Sequence, residues 1–227
     1  MFFEDTEVSR YKYYRELGKD LHEQLLQHIG RIKIQKAGKE IGLAQGKFMV
    51  FENTDQMAVL QDYCIHTYRV GMKSIFDIFI EKSQSNLGSE EMALLNALKQ
   101  SFFSVFKVKG TEKSFYCHMI NIFNQAELTV IDSGLGRTAF PGLMLVGRLI
   151  QIPGSLFYMS TGSSIPIMHQ AALREIEHIM LTFSSATNGA GLSRTQEASF
   201  AKQAIRMLLR FDTSHGEHVE VLGSPLK

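Results

Sequence analysis

The run Ser160-Thr161-Gly162-Ser163-Ser164 is the best-placed group of residues for binding chemistry. It follows a predicted strand and precedes a predicted helix, so its backbone N–H groups and hydroxyls could hold an anion. A turn followed by a helix cap uses the same residue types without a ligand. The run lacks a Walker lysine, which excludes a nucleotide P-loop. The candidate ligand-binding residues in this run are Ser160, Thr161 and Ser163.

Arg137 is a further candidate for ligand binding, and it lies in the glycine-rich run Gly134–Thr138. A phosphate-binding loop needs a helix directly after it. Here Pro141 and another predicted strand follow instead. A connection between two strands therefore explains the glycines, and Arg137 can still contact a ligand from this position.

Arg148 and Arg69 are charges inside otherwise apolar elements. A buried arginine usually pairs with a carboxylate. Each arginine is therefore expected either to form an ion pair that ties a helix to the β-region or to anchor a ligand. Three aspartates are available as partners: Asp62, Asp77 and Asp132.

Metal chemistry has little support in the sequence. Glu175 and His178 have the Glu-x-x-His spacing of carboxylate-bridged dimetal sites. No second copy lies on a predicted helix, and Asp62 with His66, one turn apart, would complete at most four ligands. We expect exposed polar residues here, with no metal and no cofactor.

Nucleophilic catalysis is equally weakly supported. The sequence has no G-x-S-x-G nucleophile motif. Cys64 and Cys117 form no C-x-x-C pair, which argues against a structural zinc site. Both are predicted to be small buried apolar residues.

The N-terminal region carries an excess of positive charge. Residues 10–47 contain nine Lys or Arg residues and four acidic residues, whereas the formal net charge of the whole chain is only +1. This excess suits either a solvated helix face or a surface that binds a polyanion. The candidate nucleic-acid-binding residues are Arg10, Lys12, Arg15, Lys19, Lys33, Lys36 and Lys39.

Helices are predicted on both sides of a central β-region. Apolar residues recur every three or four positions, which predicts the helices. The predicted spans are 9–29, 32–44, 55–82, 89–100, 165–183 and 194–211. Pro166 is expected in the first turn of the helix that begins at residue 165.

Five short strands are predicted between Ser104 and Ser160, separated by turn residues. The first begins near Ser104 and ends at Gly110, and the other four are predicted at 115–123, 127–131, 143–152 and 156–160. No helix fits between consecutive strands, so a parallel sheet is excluded. The predicted fold class is α+β, with N-terminal helices, a central small antiparallel β-barrel or bent sheet of about five strands, and C-terminal helices. The expected divisions are 1–102, 103–162, 163–212 and a tail at 213–227.

The N-terminus and the hydropathy pattern predict a cytoplasmic protein. The first residues, Met1-Phe2-Phe3-Glu4-Asp5, lack the basic region of a signal peptide. No apolar run approaches the length that spans a bilayer. Hydrophobic residues make up 44% of the chain, which is typical of a globular protein with a buried core.

Short motifs between Glu52 and Ile167 carry a family resemblance over about half of the chain. They are Gln61-Asp62-Tyr63, Tyr68-Arg69, Ser104–Val108, Val130-Ile131-Asp132, Pro141–Leu145, Gly147–Ile150 and Phe157–Gly162. The pattern is similar to a loose group of uncharacterised bacterial proteins in which a helical segment precedes a small β-barrel-like domain. Some members of this group carry a cysteine-rich zinc-binding tail that this chain lacks. The resemblance implies this fold and a bacterial cytoplasmic origin, and it implies no activity.

Three functional hypotheses follow from the sequence. The favoured one is a non-enzymatic interaction or scaffold protein that binds a protein partner or self-associates as a homo-oligomer. The second is a nucleic-acid-associated protein that uses the basic N-terminal helices. The third is an enzyme or small-ligand binder with a site near Arg148 and the Ser160–Ser164 run. It requires a pocket in which polar atoms converge beside a titratable group with a shifted pKa.

Overall fold

The N-terminal half of the protein is mainly helical. The computed structural model describes residues 6–69, 73–83, 87–162, 164–184, 191–212 and 220–221. The first elements are α1 (Thr6–Gln27), α2 (Arg31–Ile41), β1 (Ala44–Gln45) and β2 (Phe48–Phe51). The two strands form a small antiparallel hairpin, and β2 also pairs with β9 (Glu220–Val221).

The long helix predicted over 55–82 is interrupted, and that prediction is wrong. Helix α3 (Thr54–Asp62) continues into a π-helical turn at Tyr63–Thr67, and α4 (Ile75–Ser83) is a separate helix. The chain leaves the helix at Tyr68, whose backbone is extended. The apolar repeat runs through both halves, so periodicity did not reveal the break. Gly71, expected inside the helix, lies outside the described residues.

Tertiary contacts explain the π-helical turn. All five of its residues are buried, including the polar side chains of His66 and Thr67. A π-helical turn changes the direction in which successive side chains point, and such turns are frequent at functional sites. Here Thr67 bonds to Arg148 in a strand of the central β-region, and His66 contacts Ser101, which directly precedes the first strand of that region.

The central region is a closed five-stranded β-barrel, which confirms the predicted fold class. After α5 (Ser89–Lys99), the barrel strands are β3 (Phe102–Glu112), β4 (Tyr116–Asn121), β5 (Glu127–Ile131), β6 (Met144–Gln151) and β7 (Tyr158–Ser160). Their order is β3-β4-β5-β7-β6, and β3 also pairs with β6 to close the ring.

Most barrel pairings are antiparallel, as predicted, but the β5–β7 pairing is parallel, so the barrel is mixed and not wholly antiparallel. Strand β3 pairs with β6 along its first half and with β4 along its second half, and a register shift interrupts the pairing with β4 between Val108 and Gly110. Gly110 therefore lies within the strand, where the sequence predicted that the strand would end. The barrel has an apolar interior, and the helices pack against its outer surface in a second, larger core.

A sixth strand and the C-terminal helices complete the fold. Strand β8 (Ile165–Pro166) pairs with β6, next to the place where β7 pairs with the same strand. The helix predicted from residue 165 therefore begins later, as α7 (Gln170–Ser184), and Pro166 lies in a strand. Helix α8 (Arg194–Asp212) follows the prediction and packs against α7, α2 and β3. Among the described residues, no helix has the length and apolar character needed to cross a membrane.

Candidate functional site

Arg148 lies at the centre of a buried polar network between the helices and the barrel. Its side chain is 2% exposed. The Nε atom lies 3.2 Å from Asp62 Oδ2, and Nη1 lies 2.6 Å from Glu197 Oε1. Nη2 donates to Thr67 Oγ1 at 3.0 Å, and Nη1 also donates to Ser101 Oγ at 3.4 Å. All three nitrogens of the guanidinium group are therefore bonded.

This network joins three parts of the chain. Asp62 ends α3, Arg148 is in the middle of β6, and Glu197 is in the first turn of α8. The Arg148 guanidinium also lies 5.5 Å from the centre of the Phe103 ring. Of the three aspartates that the sequence offered as partners, Asp62 forms the ion pair. Glu197 was not predicted as a partner, because it is 49 residues from Arg148 along the chain and no sequence pattern links the two.

Arg69 is placed differently from Arg148. It is exposed, and its Nη1 donates to the carbonyl of His66 at 3.1 Å. Its contact is thus with the end of the π-helical turn, and it lies outside the buried ion-paired network.

The Ser160–Gly162 segment contacts this network from the barrel side. Thr161 Oγ1 donates to Asp62 Oδ1 at 2.7 Å, so both oxygens of that carboxylate are occupied. Ser160 Oγ donates to Asp132. A Cβ atom on Gly162 would lie 2.8 Å from Asp62 Cβ, so only glycine permits this close approach. Ser163 lies outside the described residues. The helix expected directly after this segment is absent there, because β8 comes first.

Arg137 contacts a different part of the chain from this network. It belongs to α6 (Leu135–Thr138), a single turn, and its Nε donates to the carbonyl of Ser133 at 2.8 Å. The short helix replaces the plain loop that was predicted. A Cβ atom on Gly136 would lie 2.5 Å from the Ser114 backbone, which explains that glycine by close packing.

A cleft of about 160 Å³ opens between α1, α3 and the barrel, next to Asp62. Its floor is apolar and is formed by Ile65, Leu94, Leu98, Ile150 and Met159. Its polar lining includes Arg15, Lys19, His22, Gln61, Asp62 and Thr161. An apolar pocket with a few converging polar groups is the usual form of a small-molecule site. The cleft unites Ser160 and Thr161 with two basic residues that the sequence had assigned to nucleic-acid binding.

Helix α1 supplies the basic wall of the cleft. Arg15, Lys19 and His22 follow one another at steps of four and three residues, which places them on one face of the helix. Arg15 Nη1 donates to the carbonyl of Ser160 at 2.8 Å, which ties α1 to the barrel. Lys19 is exposed and pairs with Glu16 at 2.7 Å. The sequence analysis missed His22, although its spacing from Arg15 and Lys19 was a usable signal.

Two buried imidazole nitrogens have no hydrogen-bond partner among the described residues, His22 Nε2 and His66 Nε2. The two rings are nearly perpendicular, with centres 6.1 Å apart. Burial lowers the pKa of His22, and Arg15 lowers it further, while Asp62 opposes the shift. Burial also lowers the pKa of His66 well below its ordinary value, with Arg148 adding to the effect. Burial therefore favours the neutral form of both rings.

The unpaired nitrogens have an energetic meaning. A buried polar atom without a partner costs about 1–3 kcal/mol, so such atoms are rare and call for an explanation. His66 Nδ1 lies 3.2 Å from Ser101 Oγ, and its Nε2 is 3.8 Å from Asp62 Oδ1, beyond hydrogen-bond distance. His22 lines the cleft directly, so a group bound there would be its nearest available partner.

The remaining predicted basic residues divide between two helices. On α1, Arg10 donates to the carbonyl of Gly154, and the Lys12 ammonium lies 5.7 Å from the centre of the Phe115 ring. These side chains are thus turned toward the barrel. Lys33, Lys36 and Lys39 lie on α2, which packs against α8 and the β1–β2 hairpin.

The described part of the chain contains no cluster of metal ligands and no exposed thiol. No group of three or more His, Cys, Asp or Glu residues there is arranged to hold a metal ion. Glu175 and His178 are both exposed on α7. Cys64 and Cys117 are buried, and burial raises their thiol pKa values to about 12 and about 11.

The comparisons with known proteins place the chain but assign it no activity. A family model described as "Family of unknown function (DUF7986)" matches residues 5–181, which include the cleft and the barrel. The resemblance to uncharacterised proteins inferred from the sequence agrees with this match. No curated protein and no solved structure matches the chain.

Proposed function

Since the chain belongs to a family of unknown function (DUF7986), we propose from its geometry that it binds a small anionic ligand in the cleft between α1, α3 and the barrel. One observation carries the proposal. Arg15, Lys19 and the unpaired Nε2 of His22 lie on one face of α1 and line the same cleft.

The charges around the cleft favour an anion. Asp62 is the acidic residue of the lining, and both its oxygens are already bonded to Thr161 and Arg148. Arg15 uses Nη1 to reach the Ser160 carbonyl, which leaves donors on the rest of its guanidinium group. Lys19 is held only by an exposed ion pair, which contributes little and is easily exchanged for a ligand.

The size of the cleft sets the size of the ligand. Pockets for drug-sized molecules usually measure about 300–1,000 Å³, and this cleft is about 160 Å³. A phosphate group or a short carboxylic acid suits that volume, and the apolar floor accommodates a few carbon atoms. The His22 Nε2 atom then either donates a hydrogen bond to an oxygen of the ligand or accepts one from a protonated oxygen of the ligand.

Isothermal titration calorimetry of the full chain with inorganic phosphate and with acetate tests the proposal. We expect saturable binding of at least one of these anions. Lys19→Glu should weaken it by about tenfold or more, because it reverses a charge at the cleft. Lys36→Glu makes the same change in net charge on the exposed surface of α2 and is the matched control.

The outcomes separate clearly. Equal weakening by Lys19→Glu and Lys36→Glu would show attraction by net charge alone and would refute a site in the cleft. Absence of binding by any of the tested anions to the unmodified protein would refute the proposal as well.

A partner-binding or scaffold role is a second candidate, supported by a separate groove that is also bordered by α5 and the barrel. The groove measures about 790 Å³ and runs between α5 and the β6–β7 connection. Leu156, at its edge, is 87% exposed. The groove, with Leu156 beside it, is the surface that would contact another protein or a second copy of this chain.

Light scattering coupled to size-exclusion chromatography tests self-association through this groove. A concentration-dependent dimer that Leu156→Asp converts to monomer would support it. A monomer at all concentrations, in both proteins, would remove self-association from this candidate function.

Nucleic-acid binding by the basic N-terminal helices is less well supported. Arg10 donates to the carbonyl of Gly154 in the β6–β7 connection and Arg15 to that of Ser160 in β7, so both side chains have structural contacts. A nucleic-acid shift assay repeated over a range of salt concentrations tests this role, since binding through phosphate contacts weakens steeply with salt.

A further inference from the structure

A second cavity lies at one mouth of the barrel, distinct in its chemistry from the cleft. It measures about 280 Å³. Strands β3, β4, β5 and β7 and the first turn of α8 line it. The residues that matter for its chemistry are Phe102, Ser104, Asn121, Leu128, Tyr158 and Glu197.

Asn121 presents an unused hydrogen-bond donor at this cavity. It is 5% exposed, and its Oδ1 accepts from Ser104 Oγ at 2.7 Å and from the backbone N–H of Phe123 at 3.0 Å. A backbone N–H can only donate, so it fixes which amide atom is the oxygen. The Nδ2 group therefore points the other way, and it makes no hydrogen bond within the described ranges.

Ser104 adds an acceptor beside that donor. Its hydroxyl proton is directed to Asn121 Oδ1, so the lone pairs of its oxygen remain available. Both residues are buried at the cavity wall. The wall thus offers a neighbouring donor and acceptor, which is complementary to a ligand edge that carries an adjacent acceptor and donor.

Aromatic rings form the adjoining walls. The rings of Phe102 and Tyr158 are 6.0 Å apart and meet at 81°, and both side chains are half-buried. A flat ring placed against the face of one meets the edge of the other, and both arrangements are favourable. This geometry selects planar ligands.

The charges around the cavity favour a neutral ligand. No Lys, Arg or His side chain lines it among the described residues. Its carboxylate, Glu197, is bonded to Arg148 at 2.6 Å and lies 3.6 Å from Arg194. An anion therefore finds no free positive charge here, in contrast to the cleft.

From these observations we propose that the barrel-mouth cavity binds a neutral planar heteroaromatic ring that carries an N–H group next to a carbonyl, such as a pyrimidine base. The ring stacks against Phe102 or Tyr158, its carbonyl accepts from Asn121 Nδ2, and its N–H donates to Ser104 Oγ. This proposal is independent of anion binding in the cleft.

Uracil is the probe, and saturable chemical-shift changes of the full chain measured by NMR are the readout. Toluene, which has a flat ring without the polar edge, is the comparison ligand. Binding of uracil with resonances of Asn121 and Tyr158 shifting at saturation is the expected result. Absence of saturable uracil binding, or equal binding of both compounds, would overturn the proposal.

Asn121→Asp is the diagnostic variant. It keeps the oxygen that Ser104 and Phe123 bond and replaces the donor by a carboxylate oxygen, so uracil affinity should fall at least about tenfold. Gln203→Glu makes the same amide-to-carboxylate change at an exposed position of α8 and is the matched control. Undiminished uracil binding by Asn121→Asp would contradict the assignment.

Ala126→Phe provides a second test that leaves the Asn121 hydrogen bonds intact. Ala126 lines the cavity and is half-buried, so a larger side chain occupies the ligand space. Thermal unfolding of each variant shows whether it is folded. A folded Ala126→Phe protein that binds uracil as the unmodified protein does would overturn the proposal.

Discussion

At the scale of single residues, Arg148 is the side chain on which the helix–barrel junction depends most. It is bonded to two carboxylates that come from two different helices, α3 and α8. The sequence identified Arg148 as unusual because it is a charge within an apolar strand. Sequence reasoning could also list Asp62 as a partner, but only the fold could select it and add Glu197.

Replacing Arg148 by Met should destabilise the protein by about 3–5 kcal/mol, because two buried carboxylates lose their counter-charge. Urea unfolding followed by circular dichroism measures the change. The combined variant Arg148→Met, Asp62→Leu, Glu197→Leu should recover most of the loss, since it removes the charges together. A single-variant loss below about 1 kcal/mol would contradict this account of the network.

The buried histidines His22 and His66 predict how stability depends on pH. Burial lowers the pKa of His22 and of His66, so the unfolded chain binds protons that the folded protein does not. The free energy of unfolding should therefore be highest above the ordinary histidine pKa of about 6.5 and should decrease as the pH falls below it. The steepest slope that each histidine can contribute is about 1.4 kcal/mol per pH unit.

Urea unfolding at a series of pH values from about 8 to about 5, which lie on both sides of the ordinary histidine pKa, measures that slope. His66→Asn keeps an acceptor near Ser101 Oγ and removes the titrating group, so its slope should be smaller than that of the unmodified protein. An unchanged slope in His66→Asn would show that His66 does not titrate in this way.

At the scale of secondary-structure elements, close packing of the barrel against α3 decides the geometry of the cleft. Gly162 is in contact with Asp62, and a side chain there would push α3 away from the barrel. The helical stripe from Met57 onward predicted that α3 exists. It could not predict that the helix becomes a π-helical turn at Tyr63, because that depends on partners supplied by β6 and α8.

Gly162→Ala should destabilise the protein by about 1–3 kcal/mol, since overfilling a tight contact forces its neighbours to move. Gly110→Ala is the matched control, because a Cβ atom on Gly110 would meet nothing within 4 Å. Thermal unfolding of both variants measures the difference. Equal stability of the two variants would contradict the close contact between Gly162 and Asp62.

The barrel strands were the best-predicted elements, and the physical reason is local. Each predicted strand is bounded by turn residues, and the span Glu127–Ile131 is the same in the structure. The boundaries that differ are those set by pairing. Strand β3 extends to Glu112 because its far end pairs with Tyr116 of β4. The predicted start of α7 moved because Ile165 and Pro166 pair with β6.

At the scale of the whole molecule, the barrel is a hub to which helices from both ends of the chain attach. The junction with α1 and α3 encloses the cleft, and the junction with α8 borders the barrel-mouth cavity. Asp62 lines the first and Glu197 the second, and Arg148 bonds to both. Sequence reasoning found Ser160, Thr161, Arg15 and Lys19 separately, but folding was needed to show that they share one cleft.

The central claim, that the cleft binds a small anion beside His22, is tested most directly by NMR of the histidine rings during titration with inorganic phosphate. We predict that the ring resonances of His22 shift saturably and give the same Kd for phosphate as calorimetry. Those of His118, whose side chain is 44% exposed on the barrel, should move little. Shifts of both histidines that grow linearly with phosphate, or no shift of His22, would contradict the account.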